Sequence, residues 1–197
     1  MYEYSDKILL KLRSQAIKEV NKFKSLSQFE EISLIKSTKT LYENISKKAK
    51  DGFLDIGYYY YIEAFYGETR KVPDEKWVKG ILKSYNPVTN YVFENEVERK
   101  RQRFFESILS NNNKSENTKT ALRYWNTMIS QYAIDISDLA LLKAYYDSGA
   151  KKVIWISEID NRTCDICEDR DGKIYNIDEI PPKPHWNCRC YYSPYKD

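Results

Sequence analysis

Cys164-Asp-Ile-Cys167, then seventeen residues, then His185-Trp-Asn-Cys188-Arg-Cys190: this stretch holds all four cysteines and the only histidine of the 197-residue chain. Two residues between cysteines let one turn aim both sulfurs at a single point. A second knuckle, folded back by a hairpin, then completes a tetrahedron of soft donors. Thiolates with one imidazole suit Zn2+ rather than calcium or magnesium. Five donors compete for four places. Cys164 and Cys167 are the firmest pair. His185 and Cys188 have knuckle spacing, whereas Cys188 and Cys190, two apart, share a face if the chain there is extended. The reading prefers Cys164, Cys167, His185 and one of Cys188 or Cys190, with Cys188 ahead. An all-cysteine site with His185 behind it is the alternative.

The other uses of these thiols are weaker. Disulfides need an oxidising compartment. The start, Met1-Tyr-Glu-Tyr-Ser-Asp6, lacks a basic leader, and no apolar run is long enough to span a bilayer. Cytosolic synthesis and no membrane partner are therefore expected. A Cys-x-x-Cys redox pair normally opens a helix after a strand. Here Asp165-Ile166 and the acids after Cys167 read as a poor helix start, and the His-Cys-Cys group would go unused. A hydrolytic zinc needs an open position and a base, but every candidate shell is thiolate-rich and the chain has one histidine. A deaminase needs His-x-Glu ahead of its cysteine pair, and the order here is reversed. The metal is expected to be structural and the protein not an enzyme.

Outward from this stretch, short strands frame it. Val153-Ile-Trp-Ile156 is β-branched and aromatic. Asp171-Gly172 is a tight turn before a second strand at 173–177, Pro181-Pro-Lys-Pro184 is an extended spacer, and a last strand is expected over 188–192. Residues 151–197 thus read as a small zinc-binding α+β module. Residues 1–150 read as a helical region, and the fold class as α+β, mostly α: an elongated bundle followed by a zinc-stapled hairpin.

Within 1–150, Ser5 is expected to cap a helix with Ile8, Leu12, Ala16 and Val20 on its apolar face, Leu9 and Ile17 alongside. Ser27 and Glu30 form a capping-box pattern before a helix expected to stop at Asp51-Gly52. A buried helix over 53–66 should be closed by Gly67. Pro73-Asp74 restarts the chain into a short helix, and Asn86-Pro87 is a turn. A longer helix covers about 88–108, and the polar run 110–117 is a loop or break between helices. The last helix, with Leu122, Trp125, Ile129 and Tyr132 on one face, ends at Ser148-Gly149, with a kink expected near Asp135-Ile-Ser137.

The net charge is +3, which does not by itself announce a nucleic-acid binder. The excess lies in the first 150 residues, since 151–197 hold 8 basic against 9 acidic residues. Arg99, Lys100, Arg101 and Arg103 form the densest basic cluster. Helical neighbours point about 100° apart, so they make no single stripe. They read as a solvated surface partly paired with Glu94, Glu96 and Glu98, and alternatively as a phosphate contact. The 18 tyrosines read as packing residues rather than base-stacking platforms.

Trp155, Asp160-x-Arg-Thr-Cys164-x-x-Cys167, Asp171-Gly-Lys-x-Tyr175 and His185-x-Asn-Cys-Arg-Cys190 together resemble the phage head-morphogenesis family called Mu F-like. The helix ending Ala144-Tyr-Tyr-Asp-Ser-Gly-Ala150 resembles the one leading into that family's motif. The specific likeness covers roughly the last 80 residues. Trp186 stands where the family usually has proline, and the Thr-Glu pair common in the preceding helix is missing. The resemblance implies a minor head protein of a tailed phage. Such a protein sits in the virion, inside the capsid near the portal. It acts in head assembly, with the portal or major capsid protein as partner and, in some members, double-stranded DNA. No fused C-terminal effector is expected in the seven residues after Cys190. The competing readings are a zinc-containing DNA-binding module and a Cys-x-x-Cys redox protein.

Overall fold

The computed structural model describes residues 3–24, 31–85, 91–110 and 113–196. The described helices are α1 (Glu3–Lys24), α2 (Glu31–Thr69), α3 (Glu75–Leu82), α4 (Tyr91–Ser110), α5 (Lys114–Asp147) and α6 (Asp165–Arg170). The strands are β1 (Lys152–Ile156), β2 (Ile174–Asn176) and β3 (Tyr191–Tyr195). The mostly helical α+β class is as expected. The capping box at Ser27 and Glu30, the Asn86-Pro87 turn and the start of the helix placed at 88 lie outside the described residues.

α1 buries Leu9, Leu12, Ala16, Val20 and Phe23, a stripe of three- and four-residue steps. Ile17 is 47% exposed, so the stripe is narrower than expected. Ser5 does not cap the helix, which starts at Glu3. Ser5 lies buried and hydrogen-bonds Tyr60 on α2.

The largest departure is α2. It runs unbroken for 39 residues, through both Asp51-Gly52 and Gly67. At 1.5 Å per residue that is about 58 Å. Gly52 and Gly57 sit at close helix crossings, whereas Gly67 has open space around it and simply stays within the helix. A β-carbon at Gly52 would stand 3.0 Å from Leu12 Cδ1 of α1, and one at Gly57 would stand 2.9 Å from Ile136 Cγ1 of α5. The helix ends instead at Arg70, whose left-handed backbone (φ 60°) turns its N–H to the Tyr66 carbonyl.

α2 packs chiefly against α5, with α1 and α4 flanking the pair and α3 against α2. Asp74 caps α3 as the Pro-Asp restart predicts, its Oδ1 accepting the Trp77 N–H at 2.8 Å. The break expected within the polar run at 110–117 falls between two helices and is shorter than the run. α4 reaches Ser110, α5 starts at Lys114, and Asn113 caps it through the Glu116 N–H. α5 passes through 135–137 without interruption, Ser137 returning its hydroxyl to the Ala133 carbonyl.

The sheet is antiparallel in the order β2-β1-β3. Val153 and Trp155 alternate inward on β1 and are fully buried. Tyr192 stands opposite Trp155 on β3, ring centroids 5.3 Å apart. Tyr145 of α5 donates its hydroxyl to the Tyr192 carbonyl at 3.4 Å. The buried side chains of the helices, the sheet and three of the cysteines form one continuous cluster.

Candidate metal centre

β1 delivers the chain to Ser157, and the loop beyond it is locked by its own side chains. Asp160 Oδ1 accepts the Arg162 N–H at 2.8 Å, and Thr163 Oγ1 accepts the Asp160 N–H at 2.9 Å while donating to the Glu158 carbonyl. This Asx-type turn leaves Cys164 as N-cap of α6, in extended backbone (φ −83°, ψ 155°). Asp165-Ile166 therefore does begin a helix, against expectation. Asp165 and Glu168 lie in its first turn, where carboxylates favour the positive end of the helix dipole.

The second knuckle is not a strand. β3 begins at Tyr191, one residue after Cys190, so Cys188 and Cys190 sit in the approach to it. His185, Trp186 and Asn187 form a turn, with Asn187 left-handed (φ 55°), a conformation asparagine tolerates better than most residues. The Gln131 side-chain carbonyl of α5 accepts the Asn187 N–H. One step earlier, Lys183 makes an ion pair of 2.6 Å with Asp138 of α5, both side chains about one-tenth exposed. Arg170 donates to the Pro182 carbonyl at 2.8 Å. The Pro-rich spacer is thereby held on both sides.

These supports bring all five predicted donors together. The donor atoms of Cys164, Cys167 and His185 lie within 4.8 Å of one another, and so do those of Cys167, Cys188 and Cys190. Cys167 belongs to both sets. Its Sγ is 3.5 Å from Cys188 Sγ and 3.7 Å from His185 Nε2. With bonds of about 2.3 Å to sulfur and about 2.0 Å to nitrogen, a tetrahedral zinc separates two sulfurs by about 3.8 Å and sulfur from nitrogen by about 3.5 Å. The observed edges match both. They are far longer than a disulfide bond of about 2.05 Å, and all four cysteines are free.

Hydrogen bonding prepares the donors. His185 Nδ1 lies 3.1 Å from the Trp186 carbonyl. A carbonyl only accepts, so Nδ1 carries the proton and Nε2 presents its lone pair toward Cys167. The Cys167 backbone N–H draws the Cys164 thiol below its ordinary pKa, while burial pushes the Cys167 and Cys188 thiols up. Buried thiols of this kind ionise readily only beside a cation.

Arg189, between the last two cysteines, spans the knuckles. Its guanidinium grips both Asp160 oxygens and reaches Glu158 at 3.0 Å. That fork holds the Asp160 carboxyl well below the usual carboxylate range. Asp160, Arg189 and Ser157 were not singled out from the sequence as supporting residues. The Asp-x-Arg-Thr turn signature could have flagged Asp160, whereas nothing in sequence pairs Asp138 with Lys183.

The basic cluster is placed differently. Arg99 and Lys100 pair with Glu96, and Arg101 with Glu98. Lys100 also lies over the Tyr124 ring at 5.2 Å, and Arg103 is exposed. Glu94 pairs with Lys50 of α2 instead.

Residues 101–193 match the family described as Phage Mu protein F like protein. The match takes in the end of α4, all of α5 and the whole donor cluster, which is more than the last 80 residues in which the likeness was read. Searches of curated proteins and of solved structures found no match. No described helix is long and apolar enough to cross a membrane.

Proposed function

We propose that this chain is a non-enzymatic minor head protein of a tailed phage. It acts in head assembly at the portal, inside the capsid, and accompanies packaged double-stranded DNA. The observation that carries the reading is the meeting of Cys-x-x-Cys and His-x-x-Cys in two triads of donors that share Cys167, with its distances to His185 and Cys188 near those of a tetrahedral zinc, inside the segment that matches the Mu F-like family.

The centre is a structural zinc site in a module of residues 151–197. Zinc there supplies a cross-link between two knuckles of chain too short to bury a core of their own, worth on the order of 10–16 kcal/mol in comparable peptides. The ligands are Cys164, Cys167, His185 and Cys188. Cys190 stays outside for a reason of proton count. Ser157 has one hydroxyl proton, given to the Cys167 carbonyl at 2.6 Å, and it accepts the Trp155 indole N–H at 3.0 Å. Its contact with Cys190 Sγ at 3.3 Å then needs the proton from sulfur. A thiol spent on that bond is a poorer ligand than Cys188, even though, against the effect of burial, hydrogen bonds with Ser157, Cys167 and Cys188 draw its pKa below the ordinary thiol value.

Elemental analysis tests the site. About one zinc per chain is expected, retained in Cys190→Ser and lost in Cys188→Ser. Loss in both, or in neither, would sink the assignment, and no zinc after reducing, chelator-free purification would sink the site. Quantifying the protein in purified heads tests the assembly role. A few copies per head are expected, and absence from heads would overturn it.

A further inference from the structure

The basic cluster singled out in the sequence is spent on ion pairs, but another set of cations is not. Arg13 of α1 and Lys119 and Arg123 of α5 line an open cleft of about 530 Å³ with Asn126, Thr127 and Ser130. No acidic residue lines it, and Asn187 of the metal module closes one end. Residues 119, 123, 126, 127 and 130 recur on one helical face. Among the described residues, none of the three cations has a carboxylate within 4.0 Å, whereas Arg99, Lys100 and Arg101 all do.

Arg13 is fixed there rather than swinging free. It donates from Nη2 to Ser130 Oγ at 2.9 Å, and Ser130 passes its own proton to the Asn126 carbonyl. Its Nε is buried without a partner. A guanidinium has five N–H donors, so this one is held in place with most of its bonding capacity unused. An anion in the cleft would supply acceptors for its terminal Nη protons, the buried Nε excepted.

We propose that this cleft binds phosphate groups of a nucleic-acid backbone. Lys119 and Arg123 stand one helical turn apart, about 6 Å along the axis, and Arg13 faces them from α1. Point-charge and forked donors in a row suit successive phosphates. The cleft is open along α5, which fits a polymer passing through better than a small enclosed ligand. Thr127 and Ser130 spend their hydroxyl protons on backbone carbonyls of α5, which leaves recognition to the three cations and makes the contact insensitive to sequence. This deepens the nucleic-acid part of the function proposed above and rests on it, but needs nothing from the zinc assignment.

The test is fluorescence anisotropy of the full zinc-loaded chain with a duplex DNA oligonucleotide, titrated at several salt concentrations. Arg13→Gln/Lys119→Gln/Arg123→Gln is compared with Arg99→Gln/Arg101→Gln/Arg103→Gln. The first variant should bind at least tenfold more weakly at about 50 mM salt, its log–log salt slope shallower by about 2 to 3, near one per lost phosphate contact. The second should bind as the unaltered protein does. Charge-conserving Arg123→Lys should retain binding, and unchanged zinc content and melting temperature in the triple variant exclude misfolding. Equal binding by both triple variants, or loss only in the second, overturns the cleft while leaving DNA binding in place. No binding by the unaltered chain overturns both. Competition by inorganic phosphate at matched ionic strength as effective as by DNA, or by polyglutamate, shows a free-anion or general polyanion site and also overturns the proposal.

Discussion

The ion pair of Lys183 with Asp138 should decide whether the second knuckle is held by the bundle. Its 2.6 Å contact lies between side chains 9% and 11% exposed, so neither partner can turn to water if the other is removed. Breaking a buried pair from one side costs about 3–5 kcal/mol, and the slight exposure argues for the lower end. Unfolding entropy of about 2.1 cal/mol/K per residue gives this chain roughly 0.4 kcal/mol/K, so about 3 kcal/mol is roughly 7 °C. Asp138→Ala in the zinc-loaded protein should therefore melt about 7 °C lower by circular dichroism. His185 is two residues from Lys183, so the same change should also weaken zinc retention against a competing chelator. The double variant Asp138→Leu/Lys183→Met removes both charges and should recover most of the loss, because the desolvation cost disappears with the pair. A single-variant loss below about 0.5 kcal/mol, or a double variant no better than the single, would refute the view that this pair docks the spacer.

Three other outcomes follow from the same geometry. Asp160→Asn removes the negative charge and one of the two oxygens that Arg189 grips and should weaken zinc binding about 10- to 100-fold, as loss of ligand-supporting groups does elsewhere, measured by chelator competition. Since Arg189 holds the Asp160 carboxyl below its ordinary range, its contribution is fully present above the unfolded carboxylate pKa of about 3.9 and is lost as pH falls toward the folded value. The unaltered chain should thus lose stability more steeply below about pH 4 than the asparagine variant; parallel acid-melting curves would count against the clamp. Gly57→Ala forces a β-carbon 2.9 Å from Ile136 Cγ1 and should destabilise by about 1–2 kcal/mol in urea, whereas Gly80→Ala, in α3 with open space around it, should stabilise by about 1 kcal/mol. The same sign for both would mean that α2 and α5 do not cross closely at Gly57.

What could be read from sequence was whatever had a local cause. The amphipathic stripes, the Pro-Asp cap of α3, β1 and the Asp-Gly turn each follow from neighbours in the chain. The errors share one origin. Gly52 and Gly67 look like helix stops, and locally they are, but Gly52 lies where α1 crosses and the lost propensity of about 1 kcal/mol is outweighed by packing of the elongated helix. Ser5 and Asn113 show the same limit at helix starts. Both can cap, yet only Asn113 does, because Ser5 is claimed by Tyr60 on another helix. For the site, residue types and spacing pointed to the five residues that the fold gathers into two triads sharing Cys167. The supports from Asp138 and Gln131 are tertiary and leave no trace in spacing.

The helix start at Cys164 removes one of the reasons for setting redox chemistry aside, since a cysteine at the head of a helix after a strand is where a reactive thiol sits. The remaining reasons are geometric. A redox pair needs its second cysteine free to close on the first, but Cys167 lies as near to His185 and Cys188 as a shared tetrahedral ion would place it. It also needs a path for an incoming disulfide, whereas the second thiol here is buried beneath the Ser157 hydroxyl network. The lowered thiol of Cys164 fits both chemistries. The orientation of His185, its proton committed to Trp186 and its lone pair toward Cys167, is the one a metal ligand needs. A histidine arranged as a ligand next to a buried cysteine has no part in disulfide exchange, and the fold spends the Lys183–Asp138 pair and the Gln131 contact on holding it there.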